Sequence, residues 1–271
     1  MRPSHQLRRW LVALTATVTA TAGAVIGLGS PAQAATVNYV ALGDSYSSGV
    51  GADSYISSSG SCKRSTKAYP ALWAAAHSPT SYTSVACSGA KTSDVINSQV
   101  NALSSSTTLV SITIGGNDAG FANIMTTCVL LGTSECVSAV QSAENYAQTT
   151  LPGKLDQTYA AIRNKAPNAR VVVLSYPVFY KLNEPLCIGL SETSRAKINE
   201  GINLIDNVIK AAAARAGFVF ADVRSIFVGH QLCSGGTKWL HALNFLDLGI
   251  SYHPTAAGQS GGYLPVFSSA A

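Results

Sequence analysis

The feature that most constrains the fold is an alternation of short apolar segments with longer helical ones. The short segments are rich in β-branched residues and cover residues 37–43, 81–87, 109–116, 169–177 and 217–223. Strands that are buried on both faces of a sheet have this composition. Segments of helical composition lie between them, at 68–76, 93–103, 135–165 and 192–216. The alternation predicts an α/β fold with a doubly wound parallel sheet and helices on both faces.

The composition supports one folded domain. Of the 271 residues, 47% are hydrophobic and 11% are charged, which excludes a disordered chain and provides apolar side chains for a large core. The sequence has no internal repeat and no dividing linker rich in proline or serine. Gly217 follows the helical segment 192–216 and is typical of a helix end directly before a strand. We predict a single domain over residues 35–271.

Residues 1–34 have the features of an export signal. A pair of arginines precedes an uncharged stretch over residues 10–29, and the small-x-small pattern Ala-Gln-Ala at 32–34 is typical of a signal-peptidase site. A membrane anchor is disfavoured because the stretch is rich in threonine and glycine, and no similar apolar run recurs. We predict a secreted protein that begins at Ala35 and has no membrane span. The arginine pair leaves both the general and the twin-arginine export routes open.

The net charge of the predicted mature chain is small. The whole sequence has 18 basic and 13 acidic side chains. Three arginines, at positions 2, 8 and 9, belong to the predicted export signal, so 15 basic side chains remain against 13 acidic ones. A net charge of about +2 without a cluster of lysine or arginine does not favour nucleic-acid binding, which requires neutralisation of phosphates. We predict no nucleic-acid partner.

The cysteines all lie in the predicted mature chain, at Cys62, Cys87, Cys128, Cys136, Cys187 and Cys233. An even number in a secreted chain indicates disulfide bonds, although six cysteines allow 15 pairings. Pairing in sequence order, 62–87, 128–136 and 187–233, is the simplest of these. No C-x-x-C motif or histidine-rich cluster is present, so we predict no metal site.

Polar residues follow the first three predicted strands, at the sheet edge where open α/β proteins bind ligands. The first strand is followed by GDSYSSG, in which Ser45 can present an exposed hydroxyl or can simply belong to a helix cap. The second strand ends near Gly89. The third is followed by GGND, in which Asn117 offers an amide donor and Asp118 can instead cap the next helix. Each motif alone is compatible with a structural role.

His253 is the histidine with the most informative context, SYHPTAAG. Pro254 is a suitable first residue of a helix, so the sequence predicts that His253 lies at the N-terminus of a final helix. That position would lower the pKa of the imidazole and favour its neutral, basic form. A purely structural role is the alternative.

Together these blocks resemble the SGNH (GDSL-type) hydrolase superfamily, because GDSYSSG, the glycine after strand two, GGND and HPTAAG occur in that order. The resemblance spans about residues 37–258. The six-cysteine layout is most similar to secreted actinobacterial lipases, esterases and phospholipases. The resemblance implies a three-layer α/β/α fold of the flavodoxin-like type with a five-stranded parallel sheet. It also implies that Ser45 is the nucleophile and His253 the general base.

The resemblance implies three donors for the oxyanion: the N–H groups of Ser45 and Gly89 and the side-chain amide of Asn117. Acyl transfer requires these components, namely an activated hydroxyl, a base of near-neutral pKa and fixed donors where the carbonyl oxygen becomes negative. No cofactor is implied.

The sequence departs from the family pattern beside the catalytic histidine. The family usually has an aspartate three residues before that histidine, and here the position is Ile250, followed by Ser251. Some secreted relatives use a main-chain carbonyl instead, which implies a Ser-His dyad oriented by the carbonyl of Ile250 or Ser251. Asp247 is the competing candidate.

The function implied is a secreted serine ester hydrolase that cleaves lipid acyl esters through an acyl-enzyme, as a lipase, an esterase or a phospholipase A acting on the sn-1 chain. An acetyl esterase of glycans and a non-catalytic binding protein are the alternatives. The expected partners are a lipid or small ester and, transiently, a lipid surface, and the expected state is a monomer.

Two further segments have a functional and a structural interpretation. Apolar residues after GGND could line an acyl groove or pack in the core: Phe121, Ile124, Met125, Val129, Leu130 and Leu131. The segment GQSGG at 258–262 matches the nucleophile elbow of α/β-hydrolases, but neither an acid nor a histidine follows it, as that fold requires. We therefore interpret it as small residues on a terminal helix.

Overall fold

A parallel sheet lies at the centre of the protein. The structure, a computed structural model, describes residues 36–271. Within this range the strands are β1 (Asn38–Gly43), β2 (Ser81–Ser84), β3 (Leu109–Thr113), β4 (Arg170–Leu174) and β5 (Val219–Ala221). They are hydrogen-bonded in the order β2-β1-β3-β4-β5, and every neighbouring pair is parallel. The predicted five-stranded parallel sheet is confirmed.

Helices cover both faces of the sheet. They are α1 (Ser45–Ser48), α2 (Tyr69–His77), α3 (Thr92–Asn97), α4 (Phe121–Leu130), α5 (Thr133–Thr149), α6 (Leu151–Lys165), α7 (Glu192–Arg215) and α8 (Leu264–Ala270). The pairs α2–α8, α3–α6 and α6–α7 pack against one another. Every residue of β3 is buried, as is every residue of β4 after Arg170, which is why these strands lack the alternation of a half-exposed sheet.

Two helical predictions were too long. The segment 135–165 contains two helices, because α5 ends before Thr150 and α6 begins with Pro152 in its first turn. Proline has no N–H to continue the preceding helix but fits well in a first turn. The segment 93–103 contains the short α3 and a 3-10 turn. Gly217 ends α7 as predicted, with φ of +66°.

The cysteines form three disulfide bonds, Cys62–Cys87, Cys128–Cys136 and Cys187–Cys233, which is the pairing in sequence order. The first fixes the loop after β2, where Cys87 also donates its N–H to the carbonyl of Gly43 at the end of β1 (3.0 Å). Bridges of this kind typically contribute about 2–4 kcal/mol to stability.

The predicted export signal, residues 1–34, and the predicted start at Ala35 lie outside the described residues. Across residues 36–271, no helix combines the length and the apolar character required to cross a bilayer.

The strand order defines where a site can form. The chain leaves β1 toward β2 on one side, and β3 lies on the other side, so β1 and β3 flank the point at which the order reverses. The loops that follow the two strands diverge there and leave a crevice at the carboxyl edge of the sheet. Ser45 follows β1 and Asn117 follows β3.

Candidate active site

Ser45 lies at the first position of α1. Asp44 caps this helix, and its carboxylate accepts the N–H of Tyr46 at 3.0 Å. The helix ends after one turn, because Gly49 adopts the left-handed conformation with φ of +85°. Both interpretations of the motif are therefore correct: Asp44 caps α1, and the same helix positions the hydroxyl of Ser45.

His253 contacts Ser45 directly. Its Nε2 lies 2.7 Å from Ser45 Oγ, and its Nδ1 lies 3.1 Å from the backbone carbonyl oxygen of Ser251. A carbonyl can only accept a hydrogen bond, so Nδ1 carries the proton of the neutral ring. Nε2 is then unprotonated and accepts the Ser45 hydroxyl. This is the arrangement that a general base requires.

Of the three groups considered for orienting His253, the Ser251 carbonyl makes the hydrogen bond to the imidazole, and the Ile250 carbonyl has a smaller effect on its pKa in the same direction. The Ile250 carbonyl instead accepts the backbone N–H of His253 at 3.1 Å. Asp247 is exposed, and its carboxylate accepts the N–H of Gly249 at 3.1 Å. The contact geometry therefore favours the Ser251 carbonyl over both competitors.

The predicted position of His253 at a helix N-terminus is wrong. Pro254 forms an antiparallel bridge with Leu240, and the helical segment begins two residues later, at Ala256. The strand-like bridge continues to His253, whose carbonyl accepts the N–H of His241 at 2.9 Å. Burial lowers the pKa of His253 to about 4, and the bond to the Ser251 carbonyl opposes this effect. The low pKa is therefore due to desolvation.

The candidate oxyanion donors belong to three loops. Within residues 36–271, the N–H groups of Ser45 and Gly89 have no protein acceptor. The Asn117 side-chain nitrogen donates one hydrogen to the carbonyl of Ala90 at 3.0 Å, which leaves its second hydrogen unused. Ser45 and Asn117 line one cleft, whereas Gly89 lies in the adjacent loop and is not part of the cleft wall. Gly89 has φ of +80°, a conformation that favours glycine.

Asp118 does not cap the helix that follows it. Its carboxylate accepts the N–H and the hydroxyl of Thr92, at 2.9 and 2.6 Å. Thr92 is the first residue of α3, so this contact joins the loop after β3 to the loop after β2. Together with the bond between Asn117 and Ala90, it holds two of the donor loops at a fixed separation.

A buried network around Asp44 was missed by the sequence analysis. Its carboxylate accepts the Thr113 hydroxyl at 2.7 Å and also the Tyr176 hydroxyl. Tyr176 in turn accepts the N–H of Gly116 at 3.1 Å. Burial raises the pKa of Asp44 to about 6, against the effect of these hydrogen bonds. Thr113 ends β3 and Tyr176 follows β4, both at the carboxyl edge of the sheet. This position is the sequence signal that could have identified them as residues near the site.

An apolar cleft extends from Ser45 between α4, α5 and α7. Its wall includes Phe121, Ile124 and Met125 of the predicted acyl groove. Val129 lines a different groove, and Leu130 and Leu131 are exposed to solvent. The first half of the predicted segment therefore faces the cleft, and the second half does not.

The GQSGG segment has a structural role. It forms a π-helical stretch, Gly258–Tyr263, that leads into α8. The buried side chain of Gln259 donates to the carbonyl of Tyr46 at 3.0 Å and accepts the N–H of Tyr69 at 2.9 Å. A Cβ at Gly258 would lie 2.2 Å from the carbonyl oxygen of Trp239. The glycine therefore allows a close approach of two backbones.

No group of three or more His, Cys, Asp or Glu side chains in residues 36–271 has a geometry suited to a metal ion. His253 contacts the serine hydroxyl, whereas the acidic residues that line the cleft, Asp44 and Glu144, have no hydrogen bond to it.

Comparisons with known proteins cover almost the whole described chain. The family described as GDSL-like lipase/acylhydrolase matches residues 41–260. Lipase 1 of Streptomyces coelicolor is 59% identical over 270 residues, which are 98% of this chain and 100% of that protein. The crystal structure of an extracellular lipase from Streptomyces rimosus is 58% identical, with a TM-score of 0.85 and coverage of 87% of this chain and 100% of that one. A phospholipase A1 structure from Streptomyces albidoflavus is 57% identical, with a TM-score of 0.85 and coverage of 88% and 100%.

Proposed function

The chain belongs to the GDSL-like lipase/acylhydrolase family of carboxylic ester hydrolases, and from this membership we propose that it is a secreted enzyme that cleaves lipid acyl esters through a Ser45–His253 dyad. The observation that carries the proposal is the 2.7 Å contact between His253 Nε2 and Ser45 Oγ, with Nδ1 held by a backbone carbonyl. The high identity to lipases and to a phospholipase A1 supports a lipid substrate.

The reaction proceeds in two acyl transfers. Ser45 Oγ attacks the ester carbonyl while His253 Nε2 takes the hydroxyl proton. The N–H groups of Ser45 and Gly89 and the free amide hydrogen of Asn117 stabilise the negative oxygen of the tetrahedral intermediate. Collapse of this intermediate releases the alcohol, which receives the proton from His253, and leaves the acyl group on Ser45. Water then attacks the acyl-enzyme with His253 again as base, and the fatty acid leaves.

The Ser251 carbonyl takes the orienting role that a carboxylate has in a triad. It holds Nδ1–H and so fixes the tautomer, but it carries only a partial charge and compensates the imidazolium less than an aspartate does. The low pKa of His253 comes from its burial, which the bond to the Ser251 carbonyl offsets only in part.

We propose that the acyl chain of the substrate occupies the apolar cleft and that the sn-1 ester of a glycerophospholipid is cleaved. The proposal is tested with phospholipids that carry different acyl chains at the two glycerol positions. Release of the sn-1 fatty acid supports it, and release of the sn-2 fatty acid contradicts it. Parallel assays with triglycerides and soluble esters rank the substrate classes.

We also propose that residues 1–34 act as an export signal that directs secretion of the protein. It is supported by the three disulfide bonds and by the name of the extracellular lipase from S. rimosus. Sequencing of the N-terminus of protein recovered from culture medium tests it. We expect the sequence to begin at Ala35, and protein retained in the cell with residues 1–34 intact would contradict secretion.

Transient contact with a lipid surface is also proposed. Four large apolar side chains are exposed on two loops: Leu186 (93%), Ile188 (95%), Phe245 (74%) and Leu246 (99%). Three of them, all except Leu246, line one groove with Tyr252, the neighbour of His253. Transfer of an apolar side chain from water into lipid lowers the free energy by roughly 25 cal/mol for each Å² of apolar surface that is buried. Exposed apolar patches of this kind commonly mark membrane or protein contact sites.

Replacing these four residues together by serine should lower activity on phospholipid vesicles by about tenfold or more. Hydrolysis of a monomeric soluble ester should stay near that of the wild type, because the residues do not touch the dyad. Initial rates on both substrates, measured at equal enzyme concentration, give the comparison. An equal loss on both substrates would indicate damage to the fold rather than loss of surface contact.

We expect Asp247→Asn to retain activity within about tenfold of the wild type, since Asp247 has no contact with His253. Loss of a true triad acid typically costs about 10⁴-fold. The measurement is kcat/KM on a soluble ester, with circular dichroism to check the fold. A loss of a thousandfold or more in a folded variant would contradict the carbonyl-oriented dyad.

The activity should persist into acid. His253 is the base only when neutral, so kcat/KM should be high above its pKa of about 4 and should fall as the pH drops through that value. The profile is measured on a soluble ester, with fold stability followed over the same pH range. Half-loss at pH 6 or above would contradict the expectation that a buried His253 sets the profile.

A further inference from the structure

One tyrosine hydroxyl connects the loop that carries Ser45 with the loop that carries Asn117. Tyr176 follows β4, is only 6% exposed and lines the cleft beside both residues. Its hydroxyl donates to Asp44 Oδ2 and accepts the N–H of Gly116 at 3.1 Å. Asp44 directly precedes Ser45 in the sequence, and Gly116 directly precedes Asn117. A single oxygen atom therefore contacts the residue before the nucleophile and the residue before the amide donor.

The two groups that this hydroxyl contacts have no other partner in the part of the chain that the structure describes. Asp44 Oδ1 accepts the N–H of Tyr46 and the hydroxyl of Thr113, whereas Oδ2 accepts only the hydroxyl of Tyr176. The N–H of Gly116 likewise donates only to that hydroxyl. Loss of the hydroxyl would leave a buried carboxylate oxygen and a backbone donor unpaired, which is costly. Both loops would then have to adjust.

The hydroxyl acts beyond the last hydrogen bonds between β1 and β3. The two strands pair as far as Gly43 and Thr113, and the N–H of Asp44 still donates to the Thr113 carbonyl at 3.0 Å. The loops then diverge, and Tyr176 approaches from β4 to join them again at Gly116. A Cβ at Gly116 would lie 3.3 Å from the Tyr176 hydroxyl oxygen, so the glycine allows this close approach.

Tyr176 is itself held in place by contacts that do not involve its hydroxyl. Its backbone N–H donates to Oδ1 of Asp206, a fully buried residue of α7, at 2.9 Å. Its ring packs edge-on against the ring of Tyr46, with the centroids 5.0 Å apart. A phenylalanine at this position would therefore keep the backbone and the ring in place and would lose only the bridge between the loops.

We propose that Tyr176 is a positioning residue for the oxyanion site, whose hydroxyl sets the separation between the Ser45 N–H and the Asn117 side-chain amide. The inference rests on the proposed function, since it assumes that both groups donate to the same oxyanion. Donors stabilise a developing charge best when they are already fixed around the position of the oxygen. A misplacement of about 1 Å can cost about 10²-fold in rate. The hydroxyl takes no part in the bond changes and acts through the two donors.

Tyr176→Phe should lower kcat on a soluble ester by about 10- to 100-fold and change KM by less than about threefold. The loss falls on kcat because the donors matter most in the transition state. Rates are divided by the number of competent sites, counted from the fluorophosphonate bound at completion, so that incomplete folding does not enter kcat. A purely structural role would lower the thermal stability and leave this normalised kcat unchanged, and that result would overturn the inference.

A double-mutant cycle with Asn117→Ala separates positioning from an independent effect. In the Asn117→Ala background, the change Tyr176→Phe should reduce kcat severalfold less than it does in the wild type. The reason is that one of the two positioned donors is already absent, and residues that act through one another are not additive. Losses that multiply as independent factors in the double variant would contradict positioning of Asn117.

Tyr39→Phe is the matched control, because Tyr39 is fully buried on β1 and its hydroxyl lies 2.6 Å from Ser111 Oγ on β3. This hydroxyl joins the same two strands within the core and does not line the cleft. Its loss should lower the thermal stability, as loss of a buried hydrogen bond does, and leave the normalised kcat within about threefold of the wild type. Equal losses of kcat in the two tyrosine variants would overturn the inference.

If Tyr176→Phe does not fold, Gly116→Ala tests the same contact from the other side. The new Cβ would press on the hydroxyl oxygen, and the backbone of Gly116 does not have the positive φ that disfavours alanine. Here too kcat should fall while KM changes little. A normalised kcat near that of the wild type would overturn the inference and leave the proposed ester hydrolysis intact. A wild-type protein that cleaves no ester would instead contradict the proposed function.

Discussion

Ser45→Ala and His253→Ala should each lower kcat by about 10⁴-fold or more. The double variant should be about as inactive as either single variant. The two residues act as one unit, because the hydroxyl is a nucleophile only when Nε2 removes its proton across their 2.7 Å contact. Residual activity in each variant would come from the oxyanion donors and from substrate binding alone. Steady-state rates on a soluble ester provide the measurement.

A fluorophosphonate probe provides the control for this prediction. The wild type should be labelled at Ser45, and both single variants should remain unlabelled while keeping the circular dichroism spectrum of the wild type. A folded wild-type protein that is neither labelled nor active would favour the alternative of a non-catalytic binding protein. Turnover near the wild-type level in either variant would contradict the proposed dyad.

Asn117→Ala should lower kcat by roughly 10²–10³-fold with a smaller change in KM, as loss of one oxyanion donor does in other hydrolases that form an acyl-enzyme. The effect falls on kcat because the second amide hydrogen of Asn117 is needed most when the carbonyl oxygen becomes negative. A change confined to KM would mean that Asn117 binds the substrate without stabilising the intermediate.

Asp118→Ala is the matched control for Asn117→Ala. Asp118 is adjacent in sequence and ties the same loop to Thr92, but it supplies no hydrogen-bond donor to the cleft. We expect its kcat to stay within about tenfold of the wild type. Equal losses in the two variants would indicate that Asn117 acts by holding the loop rather than by donating to the oxyanion.

The sheet could be predicted from the sequence because its determinants are local. Strands such as β3 and β4 are buried on both faces and consist of continuous β-branched and apolar residues, a pattern that does not depend on distant partners. The right-handed connection of parallel strands then leaves few topologies, and it predicts that the residues after β1 and β3 meet at one edge. The expected neighbourhood of Ser45 and Asn117 follows from this rule.

Other features depended on contacts between distant segments. A cap of the following helix was the structural alternative for Asp118, whose carboxylate binds Thr92 from another loop instead. Glu144 has the local context of an ordinary residue in a polar helix, and only the packing of α5 against α7 buries it beside Gly201. No short-range pattern distinguishes these side chains from exposed ones, because their burial is a property of the facing element.

The orientation of His253 shows most clearly what the sequence determines and what only the tertiary structure determines. The resemblance of HPTAAG to the family motif, without an aspartate at position 250, implied a histidine base held by a main-chain carbonyl, with Asp247 as the competing candidate. The choice of Ser251 over Ile250 depends on the turn at Tyr252, which has φ of +65° and whose carbonyl accepts the Tyr46 hydroxyl at 2.8 Å. A non-glycine residue adopts this conformation only when its surroundings impose it. Every residue carries the same carbonyl group, so only the three-dimensional path of the chain determines which one reaches Nδ1.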